Sequence, residues 1–275
     1  MVLSVVILTW NSIKHISDCF ISLLSELSGI EHEIIVIDNG STDGSVELIE
    51  KICPYANIIR NTKNLGVAPA RNQGIRVSKG EYILILDIDT QLQKDSIKTL
   101  IAYMKENINV GLCAPRLNYS NGDVQLSCRR FPLVHTKLLR RINTEWAQEI
   151  LKREYYDSRL LSGSEPLTVD YAIGACQCIR KKAIEEIGVL DEKIFYGPED
   201  VDFCLRLWLK GWSVVFVPLA QVIHLEQRIT KKFFSKITLK HVQGLFYFFL
   251  KHRYAFSRQR LYSKIASTVE NTKRY

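Results

Sequence analysis

No Cys-x-x-Cys pair occurs among the seven cysteines of this 275-residue chain, and their odd number leaves one thiol over in any disulfide scheme. Most of them sit inside apolar runs, which argues for reduced thiols and against a disulfide framework or a zinc knot. A cytoplasmic setting is the expectation. No basic segment precedes the apolar start Met1-Val2-Leu3-Ser4-Val5-Val6-Ile7-Leu8, and that stretch is too short for a secretory leader or a spanning helix. The sequence also lacks internal repeats and low-complexity segments, so repeat arrays and disordered tracts are excluded as its main organisation. Acidic residues are nearly missing from one region: 228–275 carries 12 Lys/Arg against one acid, leaving 25 bases and 28 acids on residues 1–227. The slightly acidic body argues against a nucleic-acid partner, although bases interleaved with aromatics in the tail have that chemistry in principle. This change of composition predicts a boundary near 225, between a domain at 1–226 and a basic helical extension at 227–275.

What is present fits one large α/β domain, with 47% hydrophobic and 24% charged residues. Residues 2–8 form a continuous apolar and β-branched run, followed by Ile13, Ile16, Phe20, Leu23, Leu24 and Leu27 at helical spacing. The pattern repeats with strands at 33–37, 57–60, 81–86 and 110–114 and helices after 45, at 69–77 and at 95–105. Such alternation predicts a mostly parallel, twisted sheet flanked by helices on both faces. Asn121-Gly122 marks a tight turn within 118–123. Residues 129–165 read as a polar excursion able to form a lid on the acceptor side. Short strands are expected at 169–172, 176–179 and 214–217, helices at 181–187 and 199–210, and His224 on a loop.

In an open α/β sheet, ligands bind beyond the carboxyl ends of the strands. Those ends carry Thr9 and Asn11, Asp38 and Asn39, Asn64 and Gly66, and Asp87 and Asp89, which together favour a nucleotide site. Asp87 and Asp89 are two apart on a strand end and face the same side, so their oxygens converge on a hard divalent cation and on a phosphate or ribose. Asp38 is placed to accept from an N–H or hydroxyl of a nucleoside. Arg71 either faces a diphosphate or is an ion-paired helix residue. Glu199-Asp200-x-Asp202 opens a helix, where acids suit the dipole and one carboxylate can serve as general base; Arg206 is spaced to pair with Asp202. His224 is either structural or a further ligand to the same cation.

Taken in order, Ser4-Val5-Val6-Ile7-Leu8-Thr9-Trp10-Asn11, Ile35-Val36-Ile37-Asp38-Asn39-Gly40-Ser41-Thr42-Asp43-Gly44-Ser45, Asn64-x-Gly66, Ala70-Arg71-Asn72, Asp87-x-Asp89 and Pro198-Glu199-Asp200-Val201-Asp202 resemble the inverting glycosyltransferases of family 2, over residues 3–226. Gly174-Ala175-Cys176, Phe195-Tyr196-Gly197-Pro198-Glu199-Asp200 and His224 are similar to its rhamnosyltransferase-like branch. The resemblance implies the nucleotide-diphospho-sugar transferase (GT-A) fold and transfer of a sugar, rhamnose first among candidates, from a dTDP- or UDP-sugar donor to a glycan or polyprenyl-linked saccharide in surface-polysaccharide assembly. It implies Asp38 on the pyrimidine base, Asp87 on the ribose, Asp89 on Mn²⁺ or Mg²⁺ with His224 as a second protein ligand, and Asp200 as catalytic base with Glu199 its rival. Thr90 stands where many relatives carry a further acid, which leaves ligation open between Asp87 and Asp89. A sugar nucleotidyltransferase and a catalytically silent sugar-nucleotide-binding protein are the alternatives, and oligomeric state is left open.

In the tail, Phe234, Ile237, His241, Leu245 and Phe248 fall at helical spacing beside Lys231, Lys232, Lys236, Lys240, Lys251 and Arg253. That pattern suits either an interfacial helix on the anionic inner face of the cell membrane or a helix packed on the domain with a solvated basic face.

Overall fold

The computed structural model describes residues 1–139, 144–156, 162–195, 197–225 and 236–272, with side chains left out at 138, 236–238 and 270–272. The four leading strands are β1 (Leu3–Thr9), β2 (His32–Asp38), β3 (Asn57–Arg60) and β4 (Tyr82–Asp87), all paired parallel in the order β3-β2-β1-β4. Helices α1 (Ile13–Glu26), α2 (Ser45–Ile52) and α3 (Val67–Val77) make the crossovers. Two apolar layers sandwich the sheet, because successive side chains of one strand point to opposite faces: Val6 enters one core cluster, Val5 and Ile7 the other. The register puts Thr9 opposite Asp38, Leu8 opposite Asp87 and Asp38 opposite Arg60, so the polar strand ends fall on one edge.

Beyond β4 come β5 (Thr90–Leu92), α4 (Ser96–Glu106), β6 (Val110–Asn118) and β7 (Cys128–Arg129). The polar excursion contains α5 (Val134–Leu139) and α6 (Glu145–Lys152), followed by β8 (Leu167–Thr168), β9 (Tyr171–Ala172) and β10 (Cys176–Arg180). Residues 140–143 and 157–161 of that excursion lie outside the described residues. Then α7 (Lys181–Ile187), α8 (Glu199–Trp208) and β11 (Ser213–His224) complete the body, and the full sheet order is β3-β2-β1-β4-β10-β6-β11-β5, with β8 on β11.

The sheet is mixed rather than uniformly parallel past β4. Strand β10 runs antiparallel between β4 and β6, while β11 pairs parallel with β6 and antiparallel with β5. Apolar runs carry no sign of direction, so this half was not legible from pattern alone. The expectation of a short strand at 214–217 with His224 on a loop is corrected: β11 continues to His224 across a register shift between Val217 and Gln221. Pro218 lies in that gap, where a missing N–H breaks the ladder locally without ending the strand.

In the tail are α9 (Lys236–His252) and α10 (Gln259–Thr272). Phe248, Tyr254, Leu261 and Ile265 are buried in the same core cluster as β-strand residues, and the Phe248 ring meets Phe249 and Tyr254 edge-on. Of the two readings of this helix, Phe248 follows the packed one, since its ring points into the body. The exposed apolar side chains of α9 are instead Leu239, Val242, Phe246 and Leu250. Phe234, Lys231 and Lys232, and the side chains of Lys236 and Ile237, lie outside the described residues. No helix among the described residues is long and apolar enough to cross a membrane.

Candidate active site

Asp87 ends β4, and the Thr90 hydroxyl donates to its carbonyl at 2.6 Å, turning the chain so that Asp89 lies beside it. Thr90 pairs with His224 across β5 and β11, and the Leu225 N–H donates to the Asp89 carbonyl at 2.9 Å. The long final strand thus delivers an imidazole to the acidic pair. One donor atom each from Asp87, Asp89 and His224 lies within 4.8 Å of the others, and His224 Nε2 is 3.6 Å from Asp89 Oδ1.

Gln125, which the sequence reading missed, decides how that imidazole is presented. Its amide N–H donates to the His224 carbonyl at 2.7 Å, and this fixes the amide so that its Oε1 lies 2.9 Å from His224 Nδ1. An acceptor there requires the proton on Nδ1 and leaves the Nε2 lone pair facing Asp89. Gln125 is buried just past the 118–123 turn, and no local signal marks it.

Burial first, then the neighbouring Asp87 charge, push the Asp89 carboxyl up to about 7. A concentration of negative charge that burial penalises, with two carboxylates and one imidazole lone pair converging, fits a hard or borderline divalent cation such as Mn²⁺ or Mg²⁺.

Beside the acidic pair, Arg71 of α3 is buried and donates to Asp87 Oδ1 at 2.5 Å and to the Gly174 carbonyl at 2.9 Å, with Glu199 Oε1 3.8 Å away. Arg71 is thus ion-paired with the carboxylates on both sides of it. Burial opposes its charge, but Asp87 and then Glu199 hold the guanidinium protonated above its ordinary range. A side chain at Gly174 would meet the guanidinium at 2.6 Å, so glycine there is a packing requirement. The Gly174 N–H donates to Asp200 Oδ2 at 3.2 Å, and the Val201 N–H to Asp200 Oδ1 at 2.7 Å. Arg71 and Gly174 therefore join the Asp87 side of the acidic pair to the carboxylates at the start of α8.

Glu199 and Asp200 sit in different surroundings. Glu199 is 7% exposed, its Oε2 has no hydrogen-bond partner among the described residues, and burial, then Asp200, push its carboxyl up to about 7. Asp200 is half-buried, with two amide donors. Asp202 faces away into a cluster of cations and is fully buried, so it belongs to the scaffold.

Most of the remaining strand-end residues are tied into the loops that carry them. Asn39 donates to Asn64 Oδ1 and the Gly66 carbonyl and accepts from the Leu65 N–H, while Asn64 Oδ1 accepts from the Gly66 N–H. The Asn11 carboxamide accepts from Thr42 N–H at 2.9 Å. Through these bonds the asparagines hold the strand-end loops to one another. Gly66 takes φ +93°, and a Cβ there would lie 2.6 Å from the Phe195 ring, so it joins this loop to the segment before α8. Asp38 accepts from the Ser41 N–H at 3.1 Å, and the Thr9 hydroxyl is buried with no partner among the described residues. A cavity of about 590 Å³ borders Gln125, with Tyr119, Arg129, Tyr155 and Ile173 in its wall.

Comparison with known proteins adds the family. Over 235 residues the chain is 28% identical to the N-acetylglucosaminyl-diphospho-decaprenol L-rhamnosyltransferase of Mycobacterium tuberculosis, covering 81% of this chain and 76% of that one. It is 29% identical over 216 residues to the poly-beta-1,6-N-acetyl-D-glucosamine synthase of Staphylococcus aureus, 77% of this chain but 47% of the synthase. In structure it resembles GalNAc-T7 with UDP, GalNAc and Mn²⁺, at TM-score 0.66 and 17% identity, over 92% of this chain and 50% of that one. It also resembles the mannosyltransferase PcManGT of Pyrobaculum calidifontis with GDP-Man and Mn²⁺, at TM-score 0.62 and 17% identity, over 97% of this chain and 68% of that one. These neighbours share the GT-A glycosyltransferase fold, which matches the mixed sheet flanked by helices. The profile of glycosyl transferase family 2 matches residues 4–188, and the chain belongs to that family of glycosyltransferases.

Proposed function

We propose that this protein is a metal-dependent inverting glycosyltransferase that moves a deoxy-hexose, rhamnose first among candidates, from a dTDP- or UDP-sugar to a hydroxyl of a lipid-linked saccharide during surface-polysaccharide assembly. The single observation that carries the reading is the joined constellation of Asp87, Asp89 and His224 on one side of Arg71 and Asp200 on the other. The rhamnosyl donor and diphospho-lipid acceptor follow the name of the mycobacterial relative.

In this reading Asp38 accepts from the pyrimidine base and Asp87 from the ribose, while Asp89 and His224 Nε2 hold the cation. When bound there, the cation supplies positive charge against the leaving diphosphate. Asp200 takes the proton of the acceptor hydroxyl, whose oxygen bonds the anomeric carbon as the carbon–oxygen bond to the nucleoside diphosphate breaks. Asp200 suits that role better than Glu199, because it is the more open carboxylate and its amide donors keep it aimed. One displacement from the face opposite the leaving group inverts the anomeric configuration. The cavity beside Gln125 is the acceptor side, where Tyr119 and Tyr155 offer rings to a sugar and Arg129 a guanidinium to phosphate. Leu239, Val242, Phe246 and Leu250, exposed on a helix in a strongly basic tail, would rest on anionic lipid and bring the site to a membrane-borne acceptor.

The test is thermal-shift and calorimetric binding of dTDP-rhamnose, UDP-glucose, UDP-galactose, UDP-N-acetylglucosamine and GDP-mannose, each with and without Mn²⁺, followed by transfer to a diphospho-polyprenyl saccharide. Mn²⁺-dependent binding and transfer of dTDP-rhamnose is the expected result. Binding of another donor alone would overturn the sugar assignment, and silence across the panel would overturn the proposal.

A further inference from the structure

We propose that the first helix of the tail, α9, is a positioning element of the active site: through Gly244 and Lys251 it sets the orientation of residues 191–195 and 197–202, which present Asp200. The inference rests on the reading of Asp200 as catalytic base.

The contacts fall on one short stretch of chain. At its start, Asp191 Oδ2 accepts from the Tyr247 hydroxyl at 3.0 Å and from Lys251 Nζ at 2.7 Å. Farther on, Lys240 Nζ lies 3.5 Å from the centre of the Phe195 ring. At the turn into α8, a Cβ on Gly244 would lie 2.9 Å from the Gly197 carbonyl, and a Cβ on Gly197 3.0 Å from His241 Nδ1. Two backbones therefore touch with no side chain between them. In the first turn of α8, Asp202 Oδ1 accepts from Lys251 Nζ at 2.6 Å and from His252 Nε2 at 2.8 Å. Lys251 thus spans both ends of the segment, from Asp191 to Asp202.

The opposite side of the same segment is clamped by the nucleotide-side loop. The Val67 N–H donates to the Phe195 carbonyl at 2.9 Å, and the Phe195 ring fills the place a Gly66 side chain would take. Residues 191–195 and 197–202 are held between α9 and the start of α3, the helix that carries Arg71. Asp202 lies two residues from Asp200 in the same helical turn, so whatever fixes Asp202 fixes the direction in which Asp200 leaves the helix. Asp202 keeps Arg206 as a partner at 2.8 Å when Lys251 is removed, so that change loosens the orientation without leaving a bare buried charge.

Gly244→Ala separates positioning from stability. Alanine is the better helix former, so α9 itself is strengthened while the Gly197 carbonyl is displaced. In the full chain with the donor and acceptor found above, Gly244→Ala and Lys251→Met should each lower kcat about tenfold or more while KM for donor stays within about twofold. Lys251→Arg, which keeps the charge, should recover most of the rate. Binding of UDP with Mn²⁺ should match the unsubstituted protein. Independently of any activity, amide hydrogen exchange at 197–203 should speed up about tenfold in Lys251→Met while amides at 84–89 stay unchanged. Unchanged exchange at 197–203 would overturn the inference even if no donor supports transfer, so its failure is distinct from failure of the functional reading. A uniform loss of kcat, UDP binding and exchange protection would equally overturn it, because α9 would then be general scaffolding.

Discussion

Replacing Gln125 with leucine removes two hydrogen bonds, from its amide N–H to the His224 carbonyl and from His224 Nδ1 to its Oε1. The substitution keeps the buried volume close to its original value, but it releases the imidazole from the tautomer and rotation that aim Nε2 at Asp89. Outer partners of this kind change metal affinity by about 10–100-fold when lost, which corresponds to roughly 1.4–2.7 kcal/mol. The buried His224 carbonyl also loses its side-chain donor, a cost of about 1–3 kcal/mol in fold stability and a fall of several degrees in Tm. Calorimetric titration of Mn²⁺ into the UDP-saturated full chain at neutral pH measures the first effect, and thermal denaturation the second. His224→Ala should weaken Mn²⁺ by as much or more, and the two changes combined should cost little beyond His224→Ala alone, because Gln125 acts only through that ring. Mn²⁺ affinity within about twofold of the unsubstituted protein in Gln125→Leu would refute the assignment of His224 Nε2 as a ligand, even if Tm falls.

Four further outcomes are expected. Asp200→Asn should keep donor and Mn²⁺ binding while transfer falls by about 10²-fold or more; near-normal turnover would pass the role of base to Glu199. Phe248→Ala, at a fully buried ring, should cost about 3–5 kcal/mol and lower Tm markedly, and a shift under a degree or two would show that α9 does not dock on the body. Glu199 is pushed up to about 7 by burial and then by Asp200. Its folded value lies above its unfolded one, so the ionised form penalises the fold at pH 8 and protonation relieves the penalty as pH falls through about 7. Glu199→Gln should therefore raise Tm at pH 8, with the advantage shrinking toward pH 5; a constant difference across that range would contradict the assignment. Phe246→Ser with Leu250→Ser should reduce sedimentation with phosphatidylserine-containing liposomes at low salt, whereas undiminished sedimentation would exclude this stripe as the membrane contact.

Much of the N-terminal half was legible because its physics is local. Buried parallel strands must be apolar throughout, crossover helices must show helical spacing, and the chain must turn polar where it leaves the sheet. Those three rules place β1 to β4 within a residue or two of their observed bounds and bring Asp38, Asp87 and Asp89 to one edge. Beyond β4 the same rules say little. The direction of β10 and the continuation of β11 past Pro218 depend on which strands are neighbours, and neighbours are chosen by the whole core.

The site divides along the same line. Motifs close in sequence, Asp87-x-Asp89 and Glu199-Asp200, were visible because residues so few positions apart stay near one another whatever the rest of the fold, although the turn after β4 and the different burial of Glu199 and Asp200 were not. The sequence alone determined that the polar strand ends gather on one sheet edge, the acidic pair and the basic, aromatic character of the tail. Tertiary structure alone decided that Gln125 orients His224, that Arg71 links Asp87 to the Gly174 and Glu199 side of the site, and that Phe248 faces inward. Each of those contacts joins residues far apart in the chain, and a hydrogen bond or buried ring has no local pattern until the strands and helices that carry its partners have packed.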